Sequence, residues 1–218
     1  MRRRPRYGGR MSRRDAAPHP YWNHNVHYHR LVLDAVPDGC GRALDVGCGD
    51  GLLVRKLAGR VREVTGVDRS AAMVRLARER SAQVPNARFV EADFMTPDGA
   101  PSGGFDLLTA VAVVHHLDFA AAVHRMAELL APGGRLVLVG LARNRTPLDW
   151  ALSGAGVPAA RFLARRHGGK TGPPEMPVLD PAMAWGEVRR AARECLPGGR
   201  FRRHLLWRYS LVWDKPRR

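Results

Sequence analysis

Short apolar runs alternate along the chain with stretches whose apolar residues recur every three or four positions. The runs at 42–46, 61–67, 87–91, 106–111 and 135–140 are each bounded by turn residues, which predicts buried strands. Between them, helical spacing predicts a helix over about 51–58 and another over 119–130. A third begins after Ser70, a good cap, and carries Ala72, Met73, Leu76 and Ala77 on one face. Ahead of the first strand, 21–36 reads as one amphipathic helix stopped near Pro37. The Pro/Gly cluster 97–104 reads as a loop, and Pro132-Gly133-Gly134 as the turn into strand five. Strands and helices in this order imply an α/β fold whose parallel sheet is joined by right-handed crossovers.

After strand five the rhythm breaks. Residues 143–181 hold a predicted helix, about 147–166, and then a Gly/Pro-rich loop from Gly168 to Pro181. An insertion there stands over the carboxyl ends of the strands, where such sheets bind ligands, and reads as a substrate lid. A last helix over about 182–195 leads through Leu196-Pro197-Gly198-Gly199 into two closing strands, 200–206 and 208–214. Residues 1–20 form a Pro/Arg/Gly tail with the composition of a disordered segment, which leaves 21–218 as the folded domain.

Candidate chemistry gathers where the first strand meets its helix. Ala43-Leu44-Asp45-Val46-Gly47-Cys48-Gly49-Asp50-Gly51 is a strand running into a glycine turn, and Val64-Thr65-Gly66-Val67-Asp68 is a strand that ends in an acid. Glycines let the backbone approach a ligand, and a strand-end carboxylate accepts hydrogen bonds from ribose hydroxyls, so the pair reads as half of a nucleotide-binding unit. The spacing Gly47-x-Gly49-x-Gly51 departs from the dinucleotide fingerprint Gly-x-Gly-x-x-Gly. Asp45, two residues ahead of the first glycine, would repel a pyrophosphate but suits a ligand with a cationic end, such as S-adenosylmethionine (SAM).

With these motifs, and with Phe89-Val90-Glu91-Ala92-Asp93-Phe94, Phe105-Asp106-Leu107-Leu108 through His115-His116-Leu117, and Leu130-Ala131-Pro132-Gly133-Gly134-Arg135-Leu136 following in order, the chain resembles the class I SAM-dependent methyltransferases. The likeness covers roughly residues 28 to 142, and the closest subgroup is small-molecule methyltransferases such as those of ubiquinone and menaquinone biosynthesis. It implies a Rossmann-like, doubly wound seven-stranded sheet with an antiparallel last strand, an N-terminal helix and a lid after strand five. It also implies SAM as cofactor and transfer of its methyl group to a small-molecule acceptor by in-line displacement.

The resemblance assigns roles residue by residue. Asp68 would bind the ribose hydroxyls with Arg69 beside it, and Asp93 would accept from the adenine amino group next to the backbone N–H of Phe94. Gly47, Cys48 and Gly49 would line the methionine moiety, and Asp45 would hold its ammonium directly or through water. Met73 would pack on the adenine or, equally, in the core, and Val111 joins this set at the exit of strand four. Each acid also has a plainer reading: Asp68 as a strand-end turn former, Asp93 as a cap, Asp45 as a carboxylate that orders the turn. His115 and His116 are candidates for a general base, with a purely structural turn as the favoured alternative. Tyr21, Trp22 and Tyr28 are candidates for closing over cofactor and substrate, and Trp150, Phe162 and Trp185 for lining an acceptor pocket or packing the lid.

Composition narrows the partners. The formal charge of +16 on 218 residues is carried mostly by arginine, seven of them within residues 1–14, and Met11 offers a second possible start. This charge raises an RNA acceptor anchored by the basic tail, but no stripe of stacking aromatics accompanies the arginines. Relatives that methylate nucleobase amino groups carry Asn or Asp in an Asn-Pro-Pro-type motif where Val111 stands. The intact Gly47, Gly49, Asp68 and Asp93 set argues against a binding module without catalysis, and an NAD-dependent reductase remains the other enzyme reading. His24-x-x-His27-x-His29, with His19 upstream, lacks a neighbouring Cys or acid to complete a zinc set, so no metal is expected. Three cysteines are too few for a disulfide framework, no apolar run reaches the roughly 18 residues of a membrane span, and no apolar segment follows the basic N-terminus. A cytoplasmic protein with reduced thiols is expected.

Overall fold

The computed structural model describes residues 21–173 and 180–217; the tail predicted over 1–20 and part of the loop after the lid helix lie outside them. The strands are β1 (Arg42–Val46), β2 (Glu63–Asp68), β3 (Ala87–Glu91), β4 (Phe105–Val111), β5 (Leu130–Gly140), β6 (Arg200–His204) and β7 (Arg208–Asp214). They form one sheet in the order β3-β2-β1-β4-β5-β7-β6. β1 to β5 run parallel, while β7 is antiparallel to both its neighbours, β5 and β6. The helices are α1 (His24–His27), α2 (His29–Asp34), α3 (Leu52–Ala58), α4 (Ala71–Arg80), α5 (Phe119–Leu129), α6 (Pro147–Arg166) and α7 (Trp185–Cys195).

Alternate residues of the central strands feed two separate cores. Leu44, Val46, Leu108, Leu136 and Leu138 pack against Phe119, Val123 and Met126 of α5 and Val188 and Ala192 of α7. Ala43, Leu107, Val137 and Val139 face the other way, toward Val32 of α2, Leu53, Val54 and Leu57 of α3 and Val74 and Ala77 of α4. Both faces of the parallel strands are thus covered, as a near-continuous apolar run requires.

Three elements differ from the sequence expectation. The predicted helix over 21–36 starts only at residue 24, where Asn23 caps it, and is broken at Tyr28, whose ψ of 1° leaves the helical range, into α1 and α2. The Pro132-Gly133-Gly134 turn lies inside β5: Leu130 pairs with Phe105 and Arg135 with Leu107, so the intervening residues bulge out and are pinned to the residue after β7 through Gly133 N–H to Lys215 O. β6 stops at His204, short of the expected 206, because Leu206 and Trp207 take left-handed φ of 57° in the tight hairpin turn.

Gly140, the last residue of β5, sits against the ring of Tyr209, where an added Cβ would lie 2.2 Å from Tyr209 Cζ. Tyr209 is fully buried and cannot move away. Gly140→Ala should therefore destabilise the fold by roughly 1–3 kcal/mol through overpacking. In a urea titration this appears as a lower midpoint with an unchanged slope.

Candidate active site

The site is built around the turn that leaves β1. The N–H groups of Gly47 and Cys48 both donate to Val67 O, at 2.7 and 3.1 Å, which ties the turn to β2. One residue on, Asp68 at the end of β2 uses both carboxylate oxygens: Oδ2 accepts from Gly49 N–H at 2.8 Å and Oδ1 from Ser70 N–H at 2.9 Å. Gly47 is left-handed at φ 67°, and a Cβ there would lie 2.3 Å from Val113 Cγ2. Gly51 is left-handed too and packs on Phe89, 2.7 Å from where a Cβ would stand, so it provides the close helix–sheet approach one position earlier than in a dinucleotide fold. The thiol of Cys48 turns back against Gly66, and burial raises its pKa.

Two cavities flank this turn. One, of about 160 Å³, is lined by Gly47, Gly49, Asp68, Arg69, Met73, Asp93, Phe94 and Val111 among others. The second, of about 50 Å³, shares Gly47, Gly49 and Val111 with it and adds Asp45 and Cys48. The structure thus gathers all ten predicted cofactor residues around one glycine turn. Asp68 forms the strand-end turn of the plainer reading, and Asp93 forms the cap, its Oδ1 accepting from Met95 N–H at 2.9 Å. A carboxylate offers about four acceptor sites, so each retains capacity toward the cavity.

Asp45 lies on the opposite face of β1 from Leu44 and Val46, opposite Thr109 of β4. It is buried, and its Oδ1 accepts from Thr109 Oγ1 at 2.7 Å. Burial pushes its pKa up to about 7; the Thr109 hydrogen bond opposes this and the nearby Asp68 charge adds to it. The group is therefore poised to ionise when a cation is placed beside it.

The N-terminal segment closes the smaller cavity. Tyr21 OH donates to Asp50 Oδ1 at 2.8 Å, and Asn23, Asn25, Val26 and His29 complete the wall. Asp50 is a functional candidate that the sequence reading passed over. Buried inside the glycine turn, it also takes the guanidiniums of Arg80 and Arg55 and the N–H of Leu52. Its signal was present: a carboxylate between two glycines has no apolar reason to be there. Asn25 Oδ1 accepts from Arg208 Nε and Nη2, at 2.9 and 2.6 Å, tying the segment to the tip of the β6–β7 hairpin.

The predicted aromatic lid needs correction. Only Tyr21 borders a cavity of the site. Trp22 is buried and stacks on His167 after α6, with ring centroids 5.0 Å apart. Tyr28 donates to Leu205 O and faces a separate groove over β6 and β7. Trp150 and Phe162 are 64 % and 63 % exposed on α6, and Trp185 is buried with its Nε1 donating to Asn144 Oδ1. Amphipathic spacing predicted a helix for these residues without saying which neighbours that helix would meet.

His115 and His116 form a short 3-10 turn after β4, their rings 3.9 Å apart. The Nδ1 atoms of both are buried without a hydrogen-bond partner among the described residues. His116 lines the larger cavity, and His115 is not among its lining residues. Burial holds the pKa of His115 down to about 4, aided by His116 and Arg208, and burial followed by the Arg69 charge lowers that of His116. Between them and β4, Ala112 is left-handed at φ 58° and lines the same cavity, a strained residue at a ligand site.

An open sheet of this order, with a glycine turn between two cavities and a carboxylate at the end of β2, is the architecture of a nucleoside-binding α/β enzyme. The sequence profile described as a methyltransferase domain matches residues 43–134. An uncharacterized methyltransferase of Mycobacterium tuberculosis is 38% identical over 201 residues, covering 89% of this chain and 98% of that one. A ubiquinone biosynthesis O-methyltransferase of Alkalilimnicola ehrlichii is 34% identical over 158 residues, covering 65% of this chain and 62% of its own. Among solved structures, the N-methyltransferase NodS of Bradyrhizobium japonicum with S-adenosyl-L-homocysteine superposes at a TM-score of 0.56, with 19% identity over 88% of this chain and 85% of NodS. The chain belongs to the class I SAM-dependent methyltransferases, and its cofactor is S-adenosylmethionine.

Histidines held neutral by full or partial burial make this region acid-sensitive. Burial lowers His24 to about 4 and His29 to about 3, the latter with Lys56 as second cause, and His115 to about 4, against 6.5 in an unfolded chain. Each folded value is depressed, so the stability is complete above the unfolded value and is lost as pH falls toward the folded ones. The urea midpoint should drop progressively from about pH 6.5 to 4, and His29→Gln should flatten the slope. A midpoint constant across that window contradicts the burial of these rings.

Proposed function

We propose that the chain transfers the methyl group of SAM to a small-molecule acceptor by in-line displacement. The observation that carries this reading is the pair of cavities joined at Gly47 and Gly49, one bounded by Asp68 and Asp93 and the other by Asp45. The residues fit the cofactor's chemistry. Gly49 is left-handed with nothing within 4 Å of where a Cβ would stand, so the turn offers bare backbone to a ligand. Three carboxylates surround that turn, which suits a cationic ligand and opposes the pyrophosphate of a dinucleotide.

SAM supplies a methyl group already activated on a sulfonium. Asp68 would accept from the ribose hydroxyls with the lone pairs that Gly49 and Ser70 leave free, and Asp93 from the adenine amino group. Met73 and Phe94 are buried at the wall of the larger cavity and would enclose the base between apolar surfaces. Asp45 would ionise opposite the amino-acid ammonium. The segment from Tyr21 to His29 excludes water from that end, which strengthens every electrostatic contact inside. His116, held neutral by burial at the wall of the larger cavity, would take the proton of an attacking hydroxyl or amine at Nε2, its Nδ1 being buried. His115 would hold it in place through ring contact.

The acceptor reading rests on the small-molecule relatives, among them the ubiquinone biosynthesis O-methyltransferase, and on Val111, which leaves the strand-four exit without the amide or acid used on nucleobase amino groups. Three free cysteines fit a reducing, cytoplasmic setting.

Two measurements test this. Asp68→Ala should weaken binding of SAM and S-adenosylhomocysteine more than tenfold, the loss expected when about two hydrogen bonds to a charged group disappear; unchanged binding refutes the ribose contact. The second uses Asp45. Its folded pKa is raised from 3.8 to about 7, so its contribution to stability is present at low pH and lost as pH rises to 7. A bound ammonium reverses that cost, so SAM affinity should rise with pH up to about 7, with release of a proton that calorimetry in two buffers detects. Asp45→Asn should abolish the proton release.

A further inference from the structure

The outer side of α6 is apolar from Leu148 to Phe162. Its buried positions, Asp149, Ser153, Gly156 and Ala160, lie along one side of the helix. At 3.6 residues per turn the opposite side carries Leu148, Ala151, Ala155, Pro158 and Phe162. Leu148 is 67% exposed and Leu152 47%. Leu205, at the hairpin tip and 57% exposed, shares the wall of a small recess with Leu152 and so extends the patch. Trp150 stands at its flank. The one ionisable side chain of α6 before Arg161, Asp149, is turned inward and held by Arg203 and Thr146. A lone exposed leucine needs no explanation, but a contiguous uncharged stripe along a helix does.

Charge identifies what covers it. Residues 141–172 carry Arg143, Arg145, Arg161, Arg165, Arg166 and Lys170 against the single carboxylate of Asp149. Four of these cations follow the stripe at its carboxyl end. A second copy docked by the same face would set the same cluster of cations against this one. An anionic bilayer instead offers acyl chains to the stripe and phosphates to the guanidiniums, with Trp150 at the depth where indoles settle. We propose that α6 and the β6–β7 hairpin tip dock on the surface of an anionic lipid bilayer. The helix lies in the interface and does not cross it: among the described residues no helix is long and apolar enough to span a membrane.

The test is flotation of the full chain with vesicles of phosphatidylcholine, with and without phosphatidylglycerol. The expected result is binding only to the anionic vesicles, weakened by salt. Leu148→Ser with Phe162→Ser should reduce binding at least tenfold, on the order of the apolar burial lost, and Arg161→Ala with Arg165→Ala and Arg166→Ala about a hundredfold. None of these residues lines the cofactor cavities, so S-adenosylhomocysteine binding by each variant verifies its fold. Vesicle binding needs no cofactor, so its failure and a failure of the methyl-transfer reading are separately visible. Absent vesicle binding, equal binding to neutral vesicles, or variants that bind like the native chain overturn the proposal. So does a concentration-dependent dimer that the Leu148/Phe162 variant abolishes, which assigns the stripe to a second copy.

Discussion

One carboxylate joins the two strands on which the site depends. Asp68, at the end of β2, accepts from Gly49 N–H and Ser70 N–H, so it fixes the turn after β1 and the start of α4 together. Charge-assisted bonds of this kind contribute about 1.5–3 kcal/mol each. The turn itself is glycine at every second position, with little intrinsic preference for one conformation. Val67 O holds its start, through the N–H groups of Gly47 and Cys48, but the carboxylate alone fixes the N–H of Gly49 at its centre. With it, the residues around Gly47 and Gly49 become a fixed partition between two cavities.

The second constraint is the closure of the smaller cavity, drawn from segments far apart in sequence. The N-terminal strap reaches Asp50 through Tyr21, the hairpin tip through Asn25 and Arg208, and the loop after α6 through Asn23, whose amide donates to Thr171 O. Asp50 is buried between two arginines, and removing either would leave it undercompensated, an expensive state for a buried charge. The hairpin tip holds Leu206 and Trp207 in left-handed conformations that cost on the order of 1–3 kcal/mol each. Its retaining contacts are visible: Trp207 Nε1 donates to Ser153 O, and Arg208 Nη1 donates to the carbonyls of Leu206 and Trp207. Insertion, hairpin and strap brace one another.

Much of this was legible in the residues. β1, β3, β7 and α6 occur over the predicted ranges because each carries a strong local period bounded by Gly, Pro or a capping residue. The glycine turn, Asp68 and Asp45 stood out because a ligand-facing backbone needs particular residue types at particular strand ends, whereas Asp93 entered only through the resemblance of its strand-three motif. The strap and the lid aromatics were less legible. Whether Trp22 faces a cofactor or His167, and whether Trp150 faces a pocket or solvent, depends on tertiary neighbours that a helical period does not encode. Tyr28 shows the same limit: a break between α1 and α2 points it to the hairpin tip and away from the cavity.

The central claim is that the glycine turn between β1 and α3 separates the adenosyl and amino-acid halves of one bound cofactor. A crystal structure of the complex with S-adenosylhomocysteine tests it most directly. The account predicts ribose hydroxyls on Asp68, the base between Met73 and Phe94 beside Asp93, and the ammonium on the Asp45 side of Gly47. A ligand lying elsewhere, or wholly on one side of the turn, would contradict it.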